Sequence, residues 1–394
     1  MSERLDVIVN DRVLLLPLTG VGHYVRQLLA ALRSEADIRA HPFLTGVLGI
    51  RARRDTHAAS PARAVRPGLR QRLRRSSAVR SVLQASYAVA FRRGARGYQL
   101  YHEPNHIPIR CDRPTVTTIH DLSVLEHPEW HPADRVRWYE RGFAAGLRQT
   151  SRFIAPSEFT RQEMAARLGL AEDRIDVTYQ APRPGFAPAG SDRVRQACEA
   201  LRLPERFFLY VGTLEPRKNV SGLLAAYARL PAEVRQAQPL VLAGGFGWKM
   251  EALEREINGH GLAADVRMTG YLSDEFLLGL YGAATALVWP TFYEGFGLPP
   301  LEAMACGCPV ITSAVTSLPE VVGDAGVLLD PCDTPAWAEA MRRAVEDPGW
   351  RTDLCARGLA RAATFTWARC ARQTIACYRA ALGMPQIGQT AGAP

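Results

Sequence analysis

The stretch RFFLYVGTLEPRKNVSGLL, residues 206–224, shows how the second half of the chain is built. The apolar run at its start is typical of a buried parallel strand. From Val220 onward the apolar side chains follow helical spacing, and Asn219 is placed to cap that helix. Between strand and helix stand two adjacent cations, Arg217 and Lys218. They are either solvated surface charges or part of an anion site at a strand end, where the helix dipole also attracts anions.

The same strand–turn–helix unit recurs along the chain. In the first half the predicted strands are LDVIVN, PTVTTIH and SRFIAPS, and in the second half they are RFFLYVG, PLVLAGG, VRMTG, ALVWP, PVITS and GVLLD. This alternation predicts α/β domains with parallel sheets and helices on both faces. A chain of 394 residues exceeds one ordinary core. We therefore expect two doubly wound domains whose ligand loops surround a common cleft.

A loose stretch, QAPRPGFAPAGS at residues 180–191, carries three prolines and two glycines without periodicity. Such composition is typical of an interdomain linker. We predict a first domain at residues 1–186, a second domain at residues 187–364, and a final helix at residues 365–384.

The composition argues against a membrane-spanning protein, a secreted disulfide-bonded protein and a zinc protein. No apolar run approaches the roughly 18 to 20 residues that a membrane span needs, and the N-terminal residues lack the features of a secretory signal. The eight cysteines are scattered without the spacing of a disulfide framework or a zinc site. We therefore expect a cytoplasmic protein with reduced thiols and no metal site.

The basic charge is concentrated in one segment. Residues 51–96 contain thirteen arginines and a single acid, Asp55, whereas the formal net charge of the whole chain is +9. The segment is either a solvated helical surface or a peripheral contact with anionic membrane lipid. A nucleic-acid interface needs aromatic stacking platforms, and Tyr87 and Phe91 are too few for one. We therefore expect no nucleic-acid partner.

The stretch YEGFGLPPLEAMACGCPVI, residues 293–311, follows a predicted strand and carries two carboxylates. A glycine-rich turn opens a helix, so that backbone N–H groups are available to an anion or a hydroxyl. Glu294 lies on the turn, and Glu302 lies early in the helix. A carboxylate can accept both hydroxyls of a sugar or ribose diol. The alternative for Glu302 is compensation of the helix dipole.

The first half offers weaker candidates at its strand ends. TGVGHY, residues 19–24, is a Gly-X-Gly turn before a helix, and it either admits a phosphate near Gly22 or only makes a tight turn. His120 and Asp121 end the strand PTVTTI, where a cleft residue is expected, although a structural histidine is equally common there.

Together these motifs resemble the retaining glycosyltransferases of family 4, which have the GT-B fold of two Rossmann-like domains. The matching pieces include GTLEPRKN, GYLSDEFLLGLY, YEGFGLPPLEAMACGCPVI and SLPEVVGDAG in the second half, and TGVGHY, YHEPNHIPI, TIHDL and IAPSEF in the first. The resemblance spans nearly the whole chain. It also implies that the last helix crosses back to the first domain.

The resemblance implies roles for individual residues. Arg217 and Lys218 would bind the diphosphate of a nucleotide sugar, Glu294 would hold hydroxyls of the donor sugar, and His120 would lie against the sugar ring; these four form the expected catalytic group. The expected donor-binding residues are Gly22, Gly212, Leu272, Gly295, Phe296, Gly297, Leu298 and Glu302. Among them Glu302 would take the ribose hydroxyls, and the backbone near Leu272 would meet the base. The expected acceptor-binding residues are Tyr24, His102 and Asp121.

The expected activity is transfer of a hexose, best matched by mannose or a deoxy-mannose from a GDP-sugar, with retention and without a cofactor or metal. The acceptor would be a saccharide or a polyprenyl-diphosphate-linked glycan of bacterial surface polysaccharide, reached at the inner face of the membrane. A UDP-sugar donor is the next alternative, followed by a non-catalytic protein that binds nucleic acid or lipid. Glu103 is more acidic than the family pattern leads us to expect at its position.

Overall fold

The computed structural model describes residues 4–15, 18–50, 77–245 and 250–385, and its framework is two parallel sheets of six strands each. The first sheet has the order β2-β1-β3-β4-β5-β6. Its strands are β1 Leu5–Val9, β2 Ile38–Pro42, β3 Leu100–Glu103, β4 Thr115–Thr118, β5 Arg152–Ala155 and β6 Ile175–Val177. The three strands predicted in this half are β1, β4 and β5, and all are confirmed.

The second sheet has the order β12-β11-β10-β7-β8-β9. Its strands are β7 Phe208–Val211, β8 Leu240–Ala243, β9 Val266–Gly270, β10 Ala286–Trp289, β11 Val310–Ser313 and β12 Val327–Leu329. All six strands predicted in this half are confirmed. The strand order reverses between β7 and β10, which pair directly with each other. In a doubly wound sheet this reversal opens a crevice at the carboxyl ends of the two strands, where ligands bind.

Fifteen α-helices cover the sheets within the described ranges. They are α1 Gly20–Arg33, α2 Ser77–Gly94, α3 Ser123–Glu126, α4 Ala133–Gln149, α5 Glu158–Leu168, α6 Ser191–Leu201, α7 Val220–Ala228, α8 Ala232–Ala237, α9 Met250–Gly259, α10 Asp274–Ala283, α11 Leu298–Ala305, α12 Leu318–Val322, α13 Thr334–Glu346, α14 Pro348–Ala363 and α15 Trp367–Ala381. The helix after β7 begins where the sequence predicts, because the Asn219 side chain accepts a hydrogen bond from the Gly222 N–H. Ser157 caps α5 in the same way.

The last helix, α15, packs on the first sheet and not on the second. Its buried residues Cys370, Ile375 and Tyr378 join one hydrophobic cluster with residues of β1 and α1. The Tyr378 hydroxyl is hydrogen-bonded to Nδ1 of His102 on β3 over 2.7 Å. The prediction that the final helix crosses back to the first domain is therefore confirmed.

The arginine-rich segment is only partly described. Residues 51–76 lie outside the described part, so the prediction of a membrane contact through residues 51–96 is not tested there. Within α2, Phe91 is buried and packs with Phe43 and Tyr101, so it belongs to the core and not to an interleaved surface. Val89, by contrast, is 47% exposed. None of the helices in the described ranges is long and apolar enough to span a membrane.

Candidate active site

The loops after β7 and β10 bring the predicted cations and carboxylate together at the strand-order reversal. Lys218 Nζ is hydrogen-bonded to Glu294 Oε1, which also accepts from Thr291 Oγ1 at 3.0 Å. Arg217 Nη1 lies 3.4 Å from Glu294 Oε2 and donates to the carbonyl of Tyr293 at 3.0 Å. The sequence predicts Arg217, Lys218 and Glu294 in one site. Lys218 and Glu294 are 76 residues apart along the chain, and the fold brings them together.

Three carboxylates surround Arg217, so the cations are less exposed to an anion than the sequence suggested. Arg217 Nε donates to Glu215 Oε1 at 2.6 Å, and its Nη1 lies 4.0 Å from Asp121 Oδ2 of the first half. Burial opposes the charge of the guanidinium, but Glu294, Asp121 and Glu215 outweigh it and raise the pKa of Arg217. The arginine therefore stays charged and is fixed in orientation on both sides of the cleft.

Lys218 is one of the few buried cations, with 7% of its surface exposed. Its ammonium lies 4.7 Å from the centre of the Trp289 ring, at cation–π distance. Burial, and next the charge of Arg217, lower the pKa of Lys218. A desolvated cation held by a carboxylate and an aromatic ring interacts strongly with any further negative charge brought beside it.

The two halves of the chain meet most closely at Gly295. A Cβ on Gly295 would lie 1.7 Å from the His120 carbonyl oxygen, so only glycine fits there. The Gly295 carbonyl in turn accepts hydrogen bonds from Ser157 Oγ at 2.7 Å and Thr160 Oγ1 at 3.1 Å. The glycine-rich turn is therefore clamped between the end of β4 and the start of α5.

Two helix N-termini lie close together at this cleft. Gly297, with φ 106°, precedes α11, and a Cβ there would lie 2.7 Å from Leu318. Leu298, the first residue of α11, is within 4.0 Å of the Cβ position of Gly20 at the start of α1. The positive ends of both helix dipoles therefore lie close together, which favours an anion nearby.

Glu302 is held by an arginine that the sequence analysis did not single out. Arg183 Nε and Nη2 donate to the two carboxylate oxygens of Glu302, each at 2.7 Å. Arg183 Nη1 also bonds to Asp274 at the start of α10. Glu302 is therefore more than a compensating charge for the helix dipole, because both its oxygens have a specific partner.

The other predicted donor residues have packing and backbone contacts. Leu272 is buried two residues before Asp274, and Phe296 is buried against Tyr179 and Phe365. The Gly212 N–H bonds within the sheet to the Ala243 carbonyl. Gly22 lies in the first turn of α1, and a Cβ there would lie 2.7 Å from Cδ2 of Leu18, so the glycine makes room for that side chain. Its approach to a phosphate stays a prediction.

The predicted acceptor residues divide between core and cleft. His102 is fully buried, and its ring nitrogens contact Thr118 and Tyr378, so it joins strand β3 to α15. The Tyr24 hydroxyl contacts the same Thr118 Oγ1 at 3.1 Å. Asp121, in contrast, faces Arg217 and accepts two hydrogen bonds from Ser123. The structure brings only Asp121 to the cations, and the acceptor roles of all three residues stay predictions.

His120 lies beside the cleft but its ring is engaged. Its Nε2 donates to the Pro104 carbonyl at 2.8 Å, and its ring meets the edge of Tyr24 at 5.0 Å. Burial lowers the pKa of His120, so the imidazole is neutral near pH 7. A neutral ring suits contact with a sugar and does not suit compensation of a phosphate.

Glu103 is a buried acid at the strand-order reversal of the first sheet. Its carboxylate accepts from Asn10 Nδ2 and the Tyr101 hydroxyl, each at 2.6 Å, and from the Asn105 N–H at 3.0 Å. Burial raises its pKa to about 8 despite these bonds. The unexpected acid is thus part of a satisfied polar network between β1 and β3.

Several site residues were missed because only the fold reveals them. Arg183 lies in the Pro/Gly-rich stretch predicted to be a linker. Glu320, near the start of α12, accepts hydrogen bonds from the N–H groups of Glu158 and Phe159. Glu215 could have been found, since it is two residues from Arg217. Within the described ranges no three His, Cys, Asp or Glu side chains are grouped to hold a metal ion.

Comparison with known proteins identifies the family. The model of glycosyltransferase family 4 matches residues 18–181, and the model of glycosyl transferases group 1 matches residues 196–360. The chain is 38% identical over 376 residues to O-antigen chain mannosyltransferase B of Escherichia coli, covering 92% of this chain and 96% of that protein.

Two further comparisons agree. The chain is 33% identical to the serotype-specific mannosyltransferase WbdA of Escherichia coli over 73% of this chain, and the match spans 36% of that longer protein. Sucrose-phosphate synthase from Thermosynechococcus elongatus superposes with a TM-score of 0.73 at 24% identity, covering 96% of this chain and all of that one. This superposition and the two six-stranded parallel sheets of the chain confirm the GT-B architecture. The chain therefore belongs to the family of glycosyltransferases that join a family 4 domain to a group 1 domain.

Proposed function

We propose that this glycosyltransferase transfers mannose from GDP-mannose, with retention of configuration, onto a saccharide acceptor of bacterial surface polysaccharide. Two mannosyltransferases of Escherichia coli among its relatives support the sugar, and one of them acts on the O-antigen chain. The acceptor is proposed to be a lipid-linked glycan, which places the reaction at the inner face of the membrane.

The observation that carries the proposal is the cluster of Lys218, Arg217 and Glu294 at the reversal of strand order. The two cations would contact the diphosphate, while Glu294 would accept hydroxyls of the donor sugar. Glu302 would hold the ribose, the backbone near Leu272 would hold the base, and the neighbouring starts of α1 and α11 would hold the phosphates. Support comes from the convergence of Arg217, Lys218 and Glu294 at the carboxyl ends of β7 and β10.

The chemistry follows from where charge develops. When the bond from the anomeric carbon to the phosphate oxygen breaks, negative charge grows on the leaving diphosphate. Arg217 and Lys218 would stabilise that charge more in the transition state than in the ground state, which lowers the barrier. The acceptor oxygen bonds to the anomeric carbon on the face the phosphate leaves, and its proton passes to the leaving phosphate oxygen. We propose that these side-chain cations make a metal ion unnecessary.

The base of the donor is tested by thermal unfolding with GDP, UDP, ADP and TDP. A nucleotide present at 100 times its dissociation constant stabilises the folded protein by about 2.7 kcal/mol. GDP should raise the melting temperature most, and transfer of label from GDP-mannose should follow. A larger shift with UDP would replace the donor by a UDP-sugar, and no shift with any of the four would contradict a nucleotide-sugar donor.

A further inference from the structure

The segment that joins the two sheets contributes one charged side chain to the site. Arg183 lies in this segment, yet only 7% of its surface is exposed, and its partner Glu302 is 3% exposed. Two parallel N–H···O bonds of 2.7 Å join them. This bidentate geometry fixes both the distance and the plane of the carboxylate, whereas a lysine ammonium cannot fix the plane.

A third contact fixes Arg183 from its other side. Its remaining terminal nitrogen, Nη1, bonds to Asp274, the first residue of α10, and the guanidinium lies 4.3 Å from the centre of the Phe186 ring. The second oxygen of Asp274 is 3.6 Å from Arg26 on α1. Arg183 therefore cannot rotate away from Glu302 without breaking its contacts to Asp274 on α10 and to the Phe186 ring.

The pair also changes the charge that a nucleotide meets. A bare carboxylate at Glu302 would repel an anionic nucleotide, whereas the adjacent guanidinium cancels its charge. Each Glu302 oxygen accepts one hydrogen bond from Arg183 and keeps capacity for another. A pair of neighbouring hydroxyls can therefore bind to a carboxylate that is already neutralised and oriented.

Arg183 also joins the two segments to which the proposed function assigns the ribose and the base. It bonds Glu302 on α11 and Asp274, which follows Leu272 by two residues. A buried ion pair contributes little net stability. The contacts of Arg183 instead set the spacing between α11 and the start of α10.

We propose that Arg183 is a positioning residue that holds the Glu302 carboxylate for the 2′- and 3′-hydroxyls of the donor nucleotide, with Asp274 holding Arg183. This inference rests on the proposed ribose role of Glu302. Arg183 acts through Glu302 and through no direct contact with the reacting atoms.

The test is discrimination between nucleotides with and without the ribose diol. Dissociation constants are measured for GDP and UDP and for their 2′,3′-dideoxy forms, so that the result does not depend on the base. Hydrogen bonds to a charged group lead us to expect that the wild type binds the ribonucleotide about 10- to 100-fold more tightly. Arg183→Met should bring the ratio of the two dissociation constants below about 3-fold. Arg183→Lys should give an intermediate ratio, because it keeps the charge and loses the bidentate contact.

A matched control separates positioning from stability. Arg235 forms an ion pair with Asp265 at 2.9 Å. Asp265 precedes β9, whereas Asp274 follows the other end of that strand. Arg235→Met should lower the melting temperature and leave the ratio of dissociation constants at the wild-type value. A purely structural role of Arg183 would weaken both nucleotides alike, so an unchanged ratio in Arg183→Met overturns the inference. If that variant does not fold, an unchanged ratio in Arg183→Lys overturns it.

Glu302→Gln shows which claim has failed. If it loses the discrimination while Arg183→Met keeps it, the ribose role of Glu302 stands and only the positioning role is wrong. If the wild type itself binds both forms equally, the ribose role fails and the inference falls with it. Loss of discrimination in both variants supports the two claims together.

Discussion

The carbonyl oxygen of His120 lies where a side chain of Gly295 would begin. The Cβ position of Gly295 is 1.7 Å from that oxygen, although His120 follows a strand of the first sheet and Gly295 follows a strand of the second. Gly295 directly follows Glu294, which binds Lys218. The contact between the two halves of the chain therefore also sets the position of the proposed sugar-binding carboxylate.

Gly295→Ala should lower turnover by about 100-fold, because the loop must shift by an ångström or more and move Glu294 with it. Steady-state transfer from GDP-mannose measures the effect. Gly259→Ala is the control, since nothing lies within 4 Å of its Cβ position at the end of α9. Wild-type turnover in Gly295→Ala would show that this contact does not shape the site.

Lys218→Met should lower the free energy of unfolding by about 3 kcal/mol, because it leaves Glu294 buried without its main partner. The double variant Lys218→Met/Glu294→Gln should recover most of this loss and none of the turnover. Urea unfolding and transfer assays on the same preparations separate the two effects. If the double variant is no more stable than the single one, pairing with Glu294 is not what Lys218 contributes to stability.

His102 should make the protein less stable in acid. Burial, and next the neighbouring His120, lower its pKa from 6.5 to about 3. Below pH 6.5 His102 binds a proton in the unfolded chain and does not bind one in the folded chain. The free energy of unfolding therefore falls as the pH drops from about 6.5 toward about 3. At pH 5 this one group costs about 2 kcal/mol.

His102→Gln should therefore reduce the loss of unfolding free energy between pH 7 and pH 5 by about 2 kcal/mol, as measured by urea unfolding at both values. The exposed His260→Gln serves as control and should keep the wild-type slope. An unchanged slope in His102→Gln would mean that the buried ring is not the group that senses acid.

Glu320 joins the two halves at the start of α5. Its carboxylate accepts from the N–H groups of Glu158 and Phe159 and from the Tyr179 hydroxyl at 2.7 to 3.2 Å. Glu320→Gln should lower the free energy of unfolding by about 1 to 2 kcal/mol, because charge-assisted bonds are replaced by weaker ones. Glu346→Gln, which breaks an exposed pair with Arg342, should stay within about 0.5 kcal/mol of the wild type in the same measurement.

The local sequence pattern was enough to predict the strands of the second half. Four of its strands, β7, β8, β10 and β11, are buried along their whole length, and turn chemistry located the capping residue Asn219. In the first half β2, β3 and β6 were missed. β3 carries His102 and Glu103 among its four residues, and both are buried only because Thr118, Tyr378 and Asn10 satisfy them.

The site was predictable where its chemistry is local and unpredictable where it depends on tertiary pairing. Arg217, Lys218 and Glu294 follow strand ends and therefore meet at one edge of the sheet. Arg183 lies in a stretch with no periodicity, and its pairing with Glu302 across 119 residues follows from the fold alone. The compensation of Arg217 by Asp121 likewise arises only when the two halves face each other.

The central claim is that Lys218 stabilises the leaving diphosphate in a mannose transfer. The most direct test is turnover of Lys218→Ala with GDP-mannose, alongside its dissociation constant for GDP-mannose, at a temperature where circular dichroism shows the variant folded. Loss of one donor to a developing negative charge should lower turnover by about 100- to 1,000-fold, with a much smaller change in binding. Unchanged turnover in the folded variant would contradict the account.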